Sequence, residues 1–186
     1  MNSKSVLRLA AMGVIAIGVL AVAFLSFQVL GPRTQIPDST DAVLLFAGGD
    51  GERLPAAVDF AQDRNIDTLL ISTGNSEWIG ASAIREFCGS DPSDLDDLEV
   101  VCFEAVVDDT AGEASEFSML AAERGYTSLV VASSDYHVSR ASMRVRQCFE
   151  GEVGQLPIDS DSGLSRFGHE FFGLVESSLL DRACLG

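Results

Sequence analysis

The run from Leu9 to Leu30 limits what this chain can become more than any other stretch. It holds 22 residues interrupted only by Ser26, Gln28 and a few glycines. At ~1.5 Å per residue, a helix of that length spans a ~30 Å hydrocarbon layer. Lys4 and Arg8 precede it, and the positive-inside bias then keeps the N-terminus in the cytoplasm and sends everything after the span outside. The alternative is a secretory leader cut at the small residues Ala21-Val22-Ala23. The apolar run continues past Ala23, whereas a leader's apolar stretch is usually about 7–15 residues, so a retained single-pass anchor is the favoured reading. The expected organisation is a cytoplasmic tail over 1–8, an anchor over 9–30, a polar linker over 31–40 marked by Pro32 and Pro37, and one domain over 41–186. Either fate of the leader leaves that domain beyond the cytoplasmic membrane.

Cysteine usage agrees. Cys88, Cys102, Cys148 and Cys184 show no CxxC or Cys/His metal spacing, so they read as disulfide formers in an oxidising compartment. Three pairings are possible. Cys88–Cys102 with Cys148–Cys184 is preferred, the first closing a loop rich in Gly, Ser and Asp, the second tying the last helix to the one before it.

The net charge is -16, and residues 34–186 carry 9 arginines, no lysine and 28 acids, a net of -19. Such a surface repels nucleic acid and anionic lipid. Three of those arginines, Arg140, Arg144 and Arg146, fall within seven residues, and a positive spot on an acidic body suits an anionic ligand. The acidity serves equally well as a solubility device.

From residue 41 onward, strand-length apolar runs alternate with helical patterns. Strands are expected at Ala42–Ala47, Thr68–Ser72, Glu99–Glu104 and Ser128–Ala132, with a weak one near Val153–Leu156. Helices are expected from Pro55 to about Arg64, from Ala81 to Cys88, up to Arg124, from Val138 onward, and from Ser165 to Arg182. Asp109 or Thr110 can cap the helix ending at Arg124, with Glu113 as the reciprocal acid of a Thr110 capping box. Each parallel return needs a crossover, so this alternation implies an α/β fold with a mainly parallel sheet and helices on both faces.

In such sheets ligands bind outside the carboxyl ends of the strands. Four polar loops should share that rim: Gly48-Gly49-Asp50-Gly51, Ser72-Thr73-Gly74-Asn75, Val107-Asp108-Asp109-Thr110 and Ser133-Ser134-Asp135-Tyr136-His137. The last bears the most chemistry. His137, Arg140 and Arg144 recur at i, i+3 and i+7, beside an apolar stripe of Val138, Ala141, Val145, Cys148 and Phe149, so all three can face one ligand. The plainer account has His137 packing at a helix start and the arginines solvated. Gly48 and Gly49 let backbone approach an anion, and Arg53 can clamp one, although glycine turns and surface ion pairs are common and neither a Walker A nor a GxGxxG pattern is present.

Other chemistries lack their residues. There is no G-x-S-x-G elbow, and Cys88 and Cys102 have no paired His, so conventional acyl transfer is not expected. With two histidines, metal catalysis is unsupported, and Asp159-Ser160-Asp161-Ser162-Gly163 departs from an EF-hand loop at its fifth and sixth positions and reads as a turn. No cofactor is named by any motif.

Taken in order, these loops resemble those of the bacterial SanA, ElyC and YdcF group over about 41–182. That group's Gly-Gly…Arg is met by Gly48-Gly49 and Arg53, its Ser-Gly-Gly by Ser72-Thr73-Gly74, and its Thr-x-x-Glu by Thr110 and Glu113. Its Thr-Ser-x-Tyr-His-x-x-Arg-Ala is met by Ser133-Ser134-Asp135-Tyr136-His137-Val138-Ser139-Arg140-Ala141, and an acid in the last helix by Glu170. Ser82-Ala83 replaces the group's Glu-Ala pair, and Ala114 stands where Asn is frequent. The resemblance implies a Rossmann-like three-layer fold and, for anchored members, a role in envelope integrity or cell-wall precursor metabolism.

The expected function is therefore an anchored extracytoplasmic domain binding a phosphorylated or anionic small molecule, or a lipid-linked precursor, at the rim, with no nucleic-acid partner. If it is an enzyme, a hydrolase or transferase acting on a phosphorylated envelope precursor is the expected kind. His137 and Glu113 would serve as acid and base. Gly48, Gly49, Arg53, Ser72, Gly74, Thr110, Ser133, Ser134, Tyr136, Arg140 and Glu170 would hold the ligand. The alternative is a non-catalytic scaffold whose rim contacts a partner protein.

Overall fold

The computed structural model describes residues 3–30, 32–46, 51–73, 81–90, 95, 97–107, 109–160, 164–179 and 184. Its elements are α1 (Ser3–Leu30), β1 (Ala42–Leu45), α2 (Arg53–Asp63), β2 (Thr68–Ser72), α3 (Ala81–Gly89), β3 (Glu99–Phe103), α4 (Thr110–Arg124), β4 (Ser128–Ser134), α5 (Val138–Cys148), β5 (Glu152–Ile158) and α6 (Leu164–Leu179). All five strands are parallel, in the order β3-β2-β1-β4-β5.

The inner strands read as unbroken apolar runs because both of their faces are covered. On one face Leu44, Phe46, Leu70, Leu129 and Val131 meet Ala114, Phe117 and Ala121 of α4 and Ala141 and Val145 of α5. On the other, Val43, Leu45, Leu69, Ile71 and Ala132 meet Ala57, Val58 and Ala61 of α2 and Ile84 of α3. The result is a Rossmann-like three-layer α/β domain. Its strand order reverses between β1 and β4, and at that switch the two flanking crossovers leave in opposite directions, the place where open α/β sheets bind ligands at the carboxyl end.

Two differences from the sequence pattern matter. β5 is seven residues long, although Gly154 and Pro157 weaken its strand signal; β4 pairs with its whole length and Gln35 bonds its other edge, with Gln35 N–H donating to Gln155 O at 2.9 Å and Gln155 N–H returning to Gln35 O at 2.7 Å. The segment that Pro32 and Pro37 mark as a linker therefore lies along the sheet edge instead of standing clear of it. Gly154 permits this, because a Cβ there would meet the Gln35 carbonyl and the Pro37 ring. The second difference is the start of α4. Its N-cap is Asp109, whose Oδ1 accepts from Gly112 N–H at 2.7 Å, so Thr110 is the first helical residue and the Thr110–Glu113 capping box does not form.

Asp41 fastens the opposite end of the sheet, accepting from Thr127 N–H at 2.7 Å, Thr127 Oγ1 at 3.0 Å and Ser128 N–H at 3.0 Å. The first of these bonds does most to hold its carboxyl below the usual range, against a smaller opposing effect of burial. Both disulfides have the expected pairing, Cys88–Cys102 joining α3 to β3 and Cys148–Cys184 joining the end of α5 to the chain beyond α6. α1 contains one stretch, Val6–Phe24, long and apolar enough to cross a membrane; a signal sequence meets the same description.

Candidate functional site

Because the strands are parallel, the ends of β1, β2 and β4 and the starts of α4 and α5 come to one rim. β4 delivers Ser133 and Ser134, a turn of Asp135, Tyr136 and His137 follows, and α5 begins at Val138. Asp135 shapes that turn by accepting from Tyr136 N–H at 2.8 Å and Ser160 Oγ at 3.1 Å.

The centre of the site is Glu170, on α6. Arg140 grips its carboxylate with two parallel bonds, Nε to Oε2 at 2.7 Å and Nη2 to Oε1 at 2.9 Å, and Nη1 donates to Thr110 Oγ1 at 3.0 Å. His137 Nδ1 lies 3.0 Å from Glu170 Oε2 and 3.1 Å from Arg140 Nη2. Nδ1 cannot both donate to the carboxylate and accept from the guanidinium. The ionised carboxylate is the stronger partner, so the proton belongs on Nδ1 and the lone pair on Nε2. The His137 side chain is 13% exposed and Glu170 6%. Among the described residues Nε2 has no hydrogen-bond partner. The His137 ring meets Phe46 edge-on, centroids 6.5 Å apart, which fixes its tilt.

Charge follows from this packing. Burial pushes the imidazole below its ordinary value, the Glu170 hydrogen bond opposes that, and Arg140 and Arg53 add to it by repulsion, so His137 is neutral at neutral pH. For Glu170, burial alone would raise the carboxyl, but the hydrogen bonds from His137 and Arg140, with the Arg140 charge, outweigh it and hold it at about 2. The ionised Glu170 therefore balances Arg140.

Two further pairs flank this centre. Ser72 Oγ donates to Glu113 Oε1 at 2.6 Å, which is what Glu113 does in place of capping. Arg53 is buried at the start of α2, and its Nη1 donates to Ser133 Oγ at 3.0 Å and Phe46 O at 3.3 Å, tying β1, α2 and β4 together at the switch point. The Ser134 hydroxyl is buried without a partner among the described residues. Gly48, Gly49 and Gly74 lie outside the described residues, as do Asp161, Ser162 and Gly163. Arg144, a turn beyond Arg140, is buried and donates to Gln147 Oε1 at 3.0 Å.

Phe46 is the contributor that sequence reasoning missed, serving the site through its ring and its carbonyl; its only signal was its place at the end of an apolar run. Among the described residues no three His, Cys, Asp or Glu side chains group to hold a metal ion.

Fold and site together define a Rossmann-like α/β domain with a carboxylate-oriented histidine at its topological switch point. No family model matches the chain, and no curated protein matches it either. The likeness to the SanA, ElyC and YdcF group rests on the motif residues alone.

Proposed function

We propose that this chain is a membrane-anchored, extracytoplasmic domain that binds a phosphorylated or otherwise anionic ligand at the carboxyl rim of its sheet, and acts on it with His137 as general base and acid. The observation that carries the reading is the Thr110–Arg140–Glu170–His137 network, which holds an uncharged imidazole in one tautomer and, among the described residues, leaves Nε2 without a hydrogen-bond partner. A neutral imidazole so oriented takes a proton from an attacking water or hydroxyl and returns it to the leaving oxygen, the pattern needed to hydrolyse or transfer a phosphoryl group. Arg140 spends three of its five N–H donors on Glu170 and Thr110. Its role is chiefly to position Glu170, with its two remaining donors and the Arg53 charge offered to the ligand. Both disulfides and the apolar helix support the extracytoplasmic placement. The motif resemblance supports a place in envelope integrity or wall-precursor metabolism.

The second reading is a non-catalytic scaffold, in which the adjacent exposed Val106 and Val107, in the loop between β3 and α4 on the same rim, would be covered by a partner protein. Calorimetric titration of the full-length protein in detergent with inorganic pyrophosphate separates the two. Binding that is lost in both His137→Ala and Arg140→Ala, each retaining the wild-type far-ultraviolet circular dichroism, supports the ligand site. Wild-type binding in both variants, or none in the wild type, contradicts it.

A further inference from the structure

The path of residues 32–41 fixes which end of the domain faces the anchor. Gln35 pairs with Gln155 antiparallel to β5, and Gln155 Nε2 donates to Arg33 O at 3.0 Å. Lower down, Pro37 lies over Gly154, Ser128 Oγ donates to Ser39 O, and Asp41 N–H donates to Ser128 O at 3.0 Å. Ser128 is the first residue of β4 and pairs with Glu152, the first of β5. The chain therefore descends from the carboxyl end of the sheet to its amino end before turning up into β1. Followed backwards, it reaches the carboxyl rim where α1 ends.

The Arg33 guanidinium sits over the Phe27 ring, 5.8 Å from its centroid, and so links α1 to the descending segment. α1 also adjoins α6, the helix that carries Glu170, and its stretch Val6–Phe24 is exposed. From Phe24 to Leu30 the helix rises only about 9 Å.

We infer that the rim bearing His137, Arg140 and Glu170 is held against the membrane surface, so that the site takes a phosphate presented on a lipid headgroup and not one diffusing free in the aqueous compartment. This rests on the proposed anionic-ligand site for the ligand's chemistry, and on the tether alone for its source. A domain with a net charge of -19 would not settle on an anionic bilayer unaided. The paired segment supplies the orientation that surface charge does not, and it brings the imidazole to headgroup depth. Such a site needs no high affinity for free ligand, because tethering sets a high local concentration of membrane-borne headgroups.

The test uses full-length protein in phosphatidylcholine nanodiscs with single bimane labels at the two ends of β5, Asp159→Cys at the carboxyl end and Glu150→Cys at the amino end, both exposed positions. Nitroxide placed on the lipid should quench the Asp159→Cys label several-fold more than the Glu150→Cys label. Equal quenching, or the reverse order, overturns the inference. In parallel, phosphatidic acid within the nanodisc and its short-chain soluble analogue are compared as competitors of pyrophosphate. The lipid-borne form should compete at least tenfold better at equal bulk concentration, and that advantage should vanish in Gln35→Pro, which removes the N–H that pairs with Gln155. Equal competition by both forms in the wild type contradicts the membrane source while leaving the anionic-ligand site intact. Failure of pyrophosphate itself to bind would contradict that site, and the quenching order would then still decide the orientation.

Discussion

Glu170 and Arg140 face each other through two bonds, at 2.7 and 2.9 Å, although thirty positions separate them in the chain. Their side chains are 6% and 18% exposed, so the pair is largely withdrawn from water and each charge depends on the other. Glu170→Ala would leave the Arg140 cation buried beside an unanchored imidazole, and breaking a buried pair from one side costs about 3 kcal/mol. Urea unfolding should show a loss of that size. Arg144→Ala, which removes the bond to Gln147 a turn beyond Arg140, should leave pyrophosphate binding unchanged.

Acid should weaken this protein in two stages. His137 has a folded-state value below the 6.5 of the free group, so the unfolded chain takes up its proton first and stability falls as the pH drops below 6.5. Glu170 is held at about 2 against an ordinary 4.5, so the stabilisation it gives is complete above 4.5 and is lost as the pH falls from there towards 2. Both effects have the same sign. Urea midpoints measured from pH 7 downward should fall in both intervals, and His137→Gln should remove the dependence just below 6.5 while keeping the lower one.

Gly112 has a packing reason to be glycine. A Cβ there would overlap the Val107 carbonyl, in the loop that precedes the Asp109 cap. Gly112→Ala should cost about 1–3 kcal/mol, as overpacking does. Because Thr110 and Glu113 lie on the same first turn, the variant should also weaken pyrophosphate binding, which calorimetry would register.

The Cys88–Cys102 bridge closes a loop of fourteen positions, and removing a bridge of that span costs about 3 kcal/mol. Cys88→Ser/Cys102→Ser should lower the urea midpoint accordingly without altering ligand binding, since neither cysteine touches the site network. Non-reducing peptide mapping of the native protein should recover Cys88 with Cys102 and Cys148 with Cys184.

Much of the fold was readable because its signals are local. The runs at Leu69–Ile71 and Leu129–Ala132 are apolar throughout, as strands buried on both faces must be, and Gly125 ends α4 in a left-handed conformation. What escaped was set by distant partners. Glu113 has the spacing of a capping acid, but Ser72, forty-one positions earlier, claims its carboxylate. Arg144 shares a helical stripe with His137 and Arg140, yet Glu170 reaches only the first turn of α5. The descent of residues 32–41 has no periodicity to announce it, because scattered bonds to β4 and β5 and a missing Cβ at Gly154 fix it. Glu170 was named from the motif order, and the structure adds that it shares the buried stripe of α6 with Leu174 and Ser177, where an acid needs a partner.

The most direct test is the imidazole nitrogen spectrum of His137 in full-length protein, assigned by comparison with His137→Ala. At pH 7 it should show a neutral ring protonated on Nδ1, and adding pyrophosphate should shift the Nε2 resonance. A ring protonated on Nε2, a doubly protonated ring at that pH, or an Nε2 signal indifferent to pyrophosphate would contradict the account.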